Sequence, residues 1–312
     1  MSEQRTHFDL VVIGGGPGGY ASALYGSAAG MDVALVEMSK IGGTCLHVGC
    51  IPAKELLETA SVLRTVRHAG EFGVNTSEAT LDLSKTMERK QSVIDQLTKG
   101  VVGLLDRREV TIFNGIGSLS ANRKINIQAT DGSKTHITGD NIILASGSKP
   151  RTIPGFEIDG DLILTSEELL SMTTIPKSVA IIGGGAIGVE FASALNDFGS
   201  EVTILEALPS ILSGCDADLS KTVSRSFKKR GIEVLVNCKV NGHTKKTAGL
   251  TLHLDDRDID VEKVVVSIGR RPFADLLGLK DTGIVVDTAG YIPVFRFCRT
   301  DEDGVYAIGD LI

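Results

Sequence analysis

The apolar residues of this chain are concentrated in short runs that end at glycine-rich turns, and one such arrangement occurs twice. Residues 9–37 have the sequence DLVVIGGGPGGYASALYGSAAGMDVALVE, and residues 178–206 have the sequence SVAIIGGGAIGVEFASALNDFGSEVTILE. In both segments an apolar strand precedes a glycine turn, a helical pattern, a further glycine and a second strand that ends in Glu. The copies are offset by 169 residues. This internal repeat predicts two domains of the same βαβ architecture.

Each copy is followed by a β-branched run that ends in glycine, NIILASG at 141–147 and VVVSIG at 264–269. Continuous apolar runs of this length are typical of strands buried on both faces of a parallel sheet. Helical patterns over 52–69 and 84–108 separate the first copy from its closing run. The alternating residues that follow, IFNGIGSL and KINIQAT, predict a small antiparallel appendage.

The predicted fold class is α/β, with two Rossmann-like dinucleotide-binding domains and the second inserted in the first. Each domain is expected to have three layers and a small antiparallel appendage. The segment PRTIPGFEIDG at 150–160 predicts the crossover, and the strand GVYAIGD at 304–310 is assigned back to the first sheet. The predicted boundaries are 1–150 for the first domain, 151–280 for the second, and 281–312 for the return to the first.

Composition and charge narrow the classes of function. A formal net charge of −7 argues against a nucleic-acid surface, which needs a basic face. The N-terminal sequence lacks the pattern of a secretory signal, and no apolar run approaches the ~18 residues of a membrane span. We therefore expect a cytoplasmic protein that contacts neither nucleic acid nor membrane. Five cysteines are too few for a secreted disulfide scaffold, so a close pair favours redox chemistry.

The two glycine turns have the spacing of dinucleotide-binding turns. The first glycine of such a turn permits the tight bend, the second lets backbone approach a pyrophosphate, and the third lets helix and strand pack closely. The following helix N-terminus offers free N–H groups to the phosphate. Gly147 and Gly269, which end the closing strands, are predicted to border the same sites. The turn glycines are Gly14, Gly16 and Gly19 in the first copy and Gly183, Gly185 and Gly188 in the second.

Glu37 and Glu206 end the second strand of their copies, 18 residues beyond the last glycine of each turn. A carboxylate there can accept hydrogen bonds from ribose hydroxyls. It would repel a 2′-phosphate, so Glu206 favours NAD over NADP in the second site. The alternative is that both glutamates only end strands at a solvated edge.

A close cysteine pair follows the first copy, in the segment GGTCLHVGCIPAK at 42–54. In a regular helix Cys45 and Cys50 would lie about 7.5 Å apart along the axis, whereas disulfides join Cα atoms about 4.4–6.8 Å apart. A bridge therefore requires distorted backbone, for which Gly49 and Pro52 provide a means. Such strain makes a disulfide easier to reduce. The alternative is two buried structural thiols.

This segment resembles the redox-active segment of the class I pyridine-nucleotide disulfide oxidoreductases, flavoproteins with a CxxxxC pair. The resemblance extends from the first glycine turn to GVYAIGD, and within the family the chain is most similar to the dihydrolipoamide dehydrogenases. It implies that the first dinucleotide site holds FAD and the second NAD(H). It also implies that Cys45 is the interchange thiol that attacks the substrate disulfide and that Cys50 is the charge-transfer thiolate against the flavin.

The resemblance assigns roles to three further residues. Lys54 would lie near the reactive nitrogen of the flavin and pair with Glu190, from the helix after the second glycine turn. The alternative for this pair is an ordinary surface ion pair. Asp310 matches the GD that follows a strand in the family, where the carboxylate binds the ribityl chain of the flavin.

The implied reaction is an electron relay. Dihydrolipoamide reduces the Cys45–Cys50 bridge, and the electrons pass through FAD to NAD⁺. The implied partner is dihydrolipoamide on the lipoyl domain of a 2-oxoacid dehydrogenase or glycine-cleavage complex. Glu206 disfavours glutathione reductase, which uses NADP.

The chain departs from the family pattern in three places. The C-terminal interface domain, which builds a homodimer and supplies an acid–base His, has no match, so we expect poor lipoamide turnover. His47 lies between the cysteines, where Asn is more common, and is either a substitute base or a tolerated variant. Phe273 follows Pro272, where Asn is common, which puts the local turn in doubt.

Two alternative functions remain open. One is a related disulfide reductase or mercuric reductase; low-molecular-weight thioredoxin reductases are set aside because no close cysteine pair occurs between 151 and 280. The other is a nucleotide-binding fragment with only NADH:acceptor (diaphorase) activity. No resident metal is predicted.

Overall fold

A computed structural model of the chain describes residues 5–312. The strands in those residues, in chain order, are β1 (His7–Ile13), β2 (Val33–Glu37), β3 (Thr111–Asn114), β4 (Ile116–Ser120), β5 (Lys124–Gln128), β6 (Lys134–Leu144), β7 (Ser148–Pro150), β8 (Ile163–Leu164), β9 (Ser178–Ile182), β10 (Glu201–Leu205), β11 (Glu233–Leu235), β12 (Val240–Lys246), β13 (Gly249–Leu254), β14 (Asp258–Val261), β15 (Lys263–Val266), β16 (Arg270–Pro272) and β17 (Val305–Ala307). The α-helices are α1 (Pro17–Ala28), α2 (Gly43–His47), α3 (Cys50–Arg67), α4 (Leu83–Arg107), α5 (Ser166–Leu169), α6 (Ala186–Phe198) and α7 (Ala217–Lys229).

The described residues divide into two compact units. Unit 1 contains 5–47, Val93–Lys149 and Arg270–Ile312, and unit 2 contains Val48–Ser92 and Pro150–Gly269. This division differs from the predicted boundaries in two places. Residues 48–92 group with unit 2 instead of the first domain, and the chain returns to unit 1 at Arg270 instead of at 281.

Helix α3 explains why residues 48–92 group with unit 2. Its buried residues recur every three or four positions, which gives the helix one apolar stripe. That stripe, which includes Leu56 and Ala60, belongs to one hydrophobic cluster with Phe191 and Leu195 of α6. The sequence pattern shows that α3 has a face to bury, but it does not specify which surface covers that face.

The main sheet of unit 1 contains β1–β6 and β17. Strands β3, β2, β1 and β6 are adjacent in that order and parallel, and β17 pairs in parallel with residues 142–144 of β6. Residues 134–138 of β6 pair with β5 in an antiparallel β4–β5–β6 meander. Both faces of β1 are buried: Leu10 and Val12 pack in one cluster with Ala23 of α1, and Val11 and Ile13 pack in another.

Unit 2 repeats this arrangement with a different edge. Its parallel sheet has the order β11-β10-β9-β15-β8, and β12–β14 form a separate antiparallel sheet of three strands. Val179 and Ile181 of β9 face the cluster of α3 and α6, whereas Ala180 and Ile182 face a cluster that includes Leu252 of β13. Each unit is therefore a parallel sheet with covering layers on both faces, which confirms the predicted α/β fold class.

The closing strands lie where the sequence places them, since β6 pairs with β1 and β15 pairs with β9. One prediction was wrong in part. The run IFNGIGSL does not lie wholly in the antiparallel appendage, because Thr111–Asn114 forms β3 at the parallel edge beside β2. The strand next to β15 at the far edge is β8, which comes from the chain before β9. It has only two residues, too few for a periodic pattern.

None of the helices in residues 5–312 combines the length and the apolar composition that crossing a bilayer requires.

The packing of α3 predicts the effect of truncating its buried residues. Leu56 is 1% exposed, so Leu56→Ala should lower the free energy of unfolding by about 2–5 kcal/mol through lost burial and a residual cavity. The matched control is Val62→Ala on the same helix, where the side chain is 53% exposed and the expected change is about 0.5 kcal/mol or less. Urea titration followed by circular dichroism measures both. Equal losses would contradict the burial of this face.

Candidate functional site

The first glycine turn of unit 1 leaves no room for side chains at two of its positions. Gly14 has φ +108° and donates its N–H to the Val36 carbonyl at 2.8 Å. A Cβ added at Gly14 would collide with the Ala145 carbonyl, and one added at Gly19 would collide with the Gly14 carbonyl. Both glycines are therefore required by packing, because α1 starts directly against the ends of β1 and β6.

The middle glycine of this turn has a different environment. Gly16 is the N-cap of α1, with Pro17 as the first helical residue, and no side chain of the described residues caps the helix. A Cβ at Gly16 would meet only the Cα of Gly43, at 4.0 Å. Open backbone N–H groups at a helix N-terminus suit a phosphate, so the turn has the shape and polarity of a pyrophosphate cradle.

Glu37 is buried and bonded to the turn. Its Oε2 accepts the N–H of Gly15 at 2.6 Å, its Oε1 accepts the N–H of Ser39 at 2.7 Å, and the residue is 8% exposed. This position differs from the solvated strand end considered as the alternative. Each carboxylate oxygen has about two acceptor sites, so Glu37 retains capacity for ribose hydroxyls.

The glycine turn of unit 2 repeats the geometry of the first. Gly183 has φ +110°, and a Cβ there would collide with the Ser267 carbonyl. A Cβ at Gly188 would collide with the Gly183 carbonyl, whereas one at Gly185, the N-cap of α6, would meet nothing within 4 Å. The middle position is again the open one, which suits a second pyrophosphate.

Glu206 occupies the position that Glu37 has in unit 1. Its Oε2 accepts the N–H of Gly184 at 2.6 Å, and its Oε1 accepts the N–H of Leu208 at 2.8 Å. The same carboxylate role in both copies shows that the acidic residue first stabilises the turn.

The repeat extends further than the sequence comparison found. Gly42 donates its N–H to the Gly15 carbonyl at 2.8 Å, and Leu212 donates to the Gly184 carbonyl at 2.7 Å. The preceding isoleucines, Ile41 and Ile211, are both buried against the middle of the turn. A shift of one residue between SKIGG and PSILS hides this correspondence from a comparison at fixed offset.

Cys45 lies on a helix that starts at the first glycine turn. Gly43 is the first residue of α2, and a Cβ there would lie 2.6 Å from the Cα of Gly16. Cys45 is two residues further along α2 and is half-buried. Unit 1 therefore holds this cysteine close to its candidate pyrophosphate cradle.

Cys50 is the first residue of α3 in unit 2 and is exposed. The helix breaks between the two cysteines at Gly49, which has φ −143° and ψ −114°. Distorted backbone is what a bridge between Cys45 and Cys50 was expected to need. Pro52 lies within the first turn of α3 and is not at the break. The disulfide itself stays a prediction.

The pair of Lys54 and Glu190 is present within unit 2. The Lys54 Nζ donates to both carboxylate oxygens of Glu190, at 2.7 and 2.9 Å, and thereby links α3 to α6. The two side chains are 58% and 36% exposed, so the pair contributes little to stability. A defined ion pair of small structural value is compatible with the role that the resemblance implies.

Asp310 forms contacts that the sequence did not predict. Its Oδ2 accepts the hydroxyl of Ser148 at 2.5 Å, and the same hydroxyl oxygen accepts the Nε–H of Arg270 at 2.7 Å. These residues come from three separate segments of the chain, and a hydroxyl or a guanidinium has no periodic pattern. The glycines that border the candidate sites, Gly147 and Gly269, lie directly before Ser148 and Arg270.

The departures from the family pattern have local explanations. His47 donates its Nε2–H to the Ile41 carbonyl at 2.8 Å, a bond that fits a variant accommodated in the fold. Phe273 is 6% exposed, donates its N–H to the Gly147 carbonyl at 2.8 Å and lies under the Lys149 ammonium. Its ring thus fills a position in unit 1, and the doubt about this turn is removed.

The remaining cysteines differ from the motif cysteines. Burial raises the pKa of the Cys238 thiol, and the carboxylates of Asp256 and Asp255 raise it further. A raised pKa disfavours the nucleophilic thiolate, so Cys238 fits a structural role. Cys215 is exposed and Cys298 is half-buried.

Comparison with known families matches residues 8–312 to the pyridine nucleotide-disulphide oxidoreductases. The chain belongs to this family. Pyridine nucleotide-disulphide oxidoreductases of the dihydrolipoyl dehydrogenase and disulfide reductase types use FAD and NAD(H). The open glycine turns and their bonded glutamates fit two such dinucleotides.

Among curated members of the family, the chain is 39% identical over 321 residues to dihydrolipoyl dehydrogenase of Bacillus subtilis, with 98% of this chain and 68% of the relative covered. It is 39% identical over 310 residues to dihydrolipoyl dehydrogenase of Zymomonas mobilis, with 98% and 66% covered. The chain therefore spans about two thirds of the length of these relatives.

Solved structures of the family show the same fold. LpdA of Mycobacterium tuberculosis matches with a TM-score of 0.91 and 27% identity, covering 98% of this chain and 68% of that one. The Cu(II) complex of RclA, an HOCl-induced flavoprotein disulfide reductase of Escherichia coli, matches with a TM-score of 0.86 and 27% identity, covering 98% and 66%.

The two kinds of glycine in unit 2 predict opposite effects of an added methyl group. Gly188→Ala should lower the free energy of unfolding by about 1–3 kcal/mol, because its Cβ collides with the Gly183 carbonyl. Gly185→Ala should cost about 1 kcal/mol or less but weaken NADH binding about tenfold, because the methyl group keeps the pyrophosphate from the backbone. Urea unfolding and NADH fluorescence titration measure the two effects. Unchanged NADH affinity in Gly185→Ala would contradict the cradle.

Proposed function

We propose that the chain is a flavin-dependent disulfide oxidoreductase that exchanges electrons between NAD(H) and a dithiol, with dihydrolipoamide as the dithiol. The observation that carries this proposal is the position of Cys45. The helix that bears it starts against Gly16, the open glycine of the unit 1 turn. A cysteine of a CxxxxC pair held beside a dinucleotide cradle is suited to thiol chemistry next to a bound redox cofactor.

Unit 1 is proposed to bind FAD and unit 2 to bind NAD(H). Asp310 follows β17 at the carboxyl end of the unit 1 sheet, where it can accept hydrogen bonds from the ribityl hydroxyls that FAD has and NAD lacks. Glu206 in unit 2 favours a dinucleotide without a 2′-phosphate. When bound, FAD carries two electrons between the thiols and the nicotinamide.

The protein supplies thiolates, charges and orientation. In the proposed reaction the Cys45 thiolate attacks the substrate disulfide, and the resulting mixed disulfide is resolved by Cys50. Cys50 is the first residue of the 18-residue helix α3, a position at which the helix dipole favours negative charge. Lys54 adds a positive charge one turn further along this helix, and Glu190 holds its ammonium in place.

Dihydrolipoamide is proposed as the substrate because curated relatives at 39% identity are dihydrolipoyl dehydrogenases. The corresponding partner is a lipoyl domain of a 2-oxoacid dehydrogenase or glycine-cleavage complex. A related disulfide reductase is the second candidate, which the likeness to RclA supports. Diaphorase activity alone is the third.

A steady-state assay of the FAD-loaded chain separates these candidates. We expect NADH-dependent reduction of lipoamide to exceed reduction of oxidised glutathione, and Cys45→Ser to abolish lipoamide reduction while reduction of an artificial quinone persists. Quinone reduction needs the flavin but not the dithiol. Cys298→Ser, outside the motif, should change neither rate. Quinone reduction with no disulfide reduction in the unsubstituted chain would leave the diaphorase alternative.

The role of Cys50 predicts a spectroscopic difference between the two motif cysteines. Two-electron reduction of the FAD-loaded chain should produce a long-wavelength absorption band, because a thiolate at position 50 would donate charge to the adjacent flavin. Cys50→Ser should lack this band, whereas Cys45→Ser, which keeps the thiolate at position 50, should show it. Cys215→Ser, an exposed cysteine elsewhere in unit 2, serves as the control. A band that survives Cys50→Ser would assign the charge-transfer role to a different group.

A further inference from the structure

A chain of hydrogen bonds in unit 1 connects Arg270 to Asp310 through Ser148. The Nε–H of Arg270 donates to the Ser148 Oγ at 2.7 Å, and the Ser148 hydroxyl donates to the Asp310 Oδ2 at 2.5 Å. The Arg270 Nη2 also donates to the Ser148 carbonyl at 2.8 Å. Ser148 is 9% exposed, whereas Asp310 is exposed.

The direction of these bonds is fixed by the chemistry of the groups. A guanidinium has only donors, a carboxylate has only acceptors, and a hydroxyl has one hydrogen. Because Arg270 already donates to the Ser148 oxygen, the hydroxyl hydrogen is directed to Asp310. The planar fork of Arg270 contacts Ser148 at two atoms, which holds the serine in one rotamer.

We propose that Arg270 and Ser148 are positioning residues that hold the Asp310 carboxylate in one orientation for a ligand hydroxyl. The inference rests on the proposed function, in which that hydroxyl belongs to the ribityl chain of FAD. The Ser148 bond uses Oδ2, and the carboxylate retains further acceptor sites for the ligand. An exposed carboxylate fixed before binding loses less side-chain entropy when the ligand arrives.

Other bonds hold the local backbone without this chain of hydrogen bonds. Strands β7 and β16 pair with each other, the Phe273 N–H donates to the Gly147 carbonyl at 2.8 Å, and the Ser146 hydroxyl donates to the Phe273 carbonyl at 2.6 Å. The neighbouring Arg271 pairs with Asp275 at 2.9 Å instead. Arg271 therefore provides a matched control of the same chemistry one residue away.

The test measures the affinity of the chain for FAD and for ADP, which has the adenosine diphosphate part of FAD but no ribityl chain. Ser148→Ala and Arg270→Met should each weaken FAD binding about tenfold, the usual effect of losing a hydrogen bond to a charged group. Both should leave ADP affinity unchanged, because ADP contacts the glycine turn and not Asp310. Arg271→Met should change neither affinity.

A double substitution shows whether the effect passes through Asp310. In an Asp310→Ala background, Arg270→Met should weaken FAD binding no further. Equal losses of FAD and ADP affinity, or an additive loss in the double variant, would overturn the positioning role. Thermal unfolding of each ligand-free variant identifies any that fails to fold; in that case Ser148→Ala, which removes one buried atom, decides the question alone.

The same titration distinguishes this inference from the proposed function. An unsubstituted chain that binds no FAD would remove the proposed function together with the inference. An unsubstituted chain that binds FAD with the same affinity as Ser148→Ala and Arg270→Met would remove the positioning role alone.

Discussion

The structure depends on the absence of a side chain at the third glycine of each turn. Gly19 and Gly188 lie against the carbonyls of Gly14 and Gly183 so closely that neither position has space for a Cβ. This contact places the first turn of α1 and of α6 directly over the end of a parallel strand. The helix N-terminus is thereby open at the carboxyl edge of the sheet, where a dinucleotide can bind.

The glutamates that follow each turn have two roles that cannot be separated. A buried carboxylate needs compensating hydrogen bonds, and Glu37 obtains them from the backbone of Gly15 and Ser39. Glu206 does the same in unit 2. The residue that would select the ribose therefore also fixes the turn that would bind the pyrophosphate. A variant at either glutamate changes both, and a loss of affinity there does not measure the ribose contact alone.

Much of the fold could be predicted because its signals are local. An apolar run, a glycine turn and a helical pattern follow one another within 29 residues, and their repetition identified both sheets. The remaining features depend on contacts between distant segments. The unit to which α3 belongs, the two-residue strand β8 and the hydrogen bonds around Asp310 have no pattern within one stretch of sequence. Tertiary packing decides each of them.

The insertion of unit 2 explains how these distant segments remain together in unit 1. The chain leaves unit 1 after β7 and returns at β16, and the two strands pair with each other. Adjacent ends are the condition under which one domain can be inserted in another without disturbing it. The same pairing keeps Ser148 and Arg270 side by side, and the parallel pairing of β17 with β6 brings Asp310 to the same edge of the sheet. The discontinuity of unit 1 is therefore what assembles its candidate ligand contacts, since no continuous stretch of this chain contains all three residues.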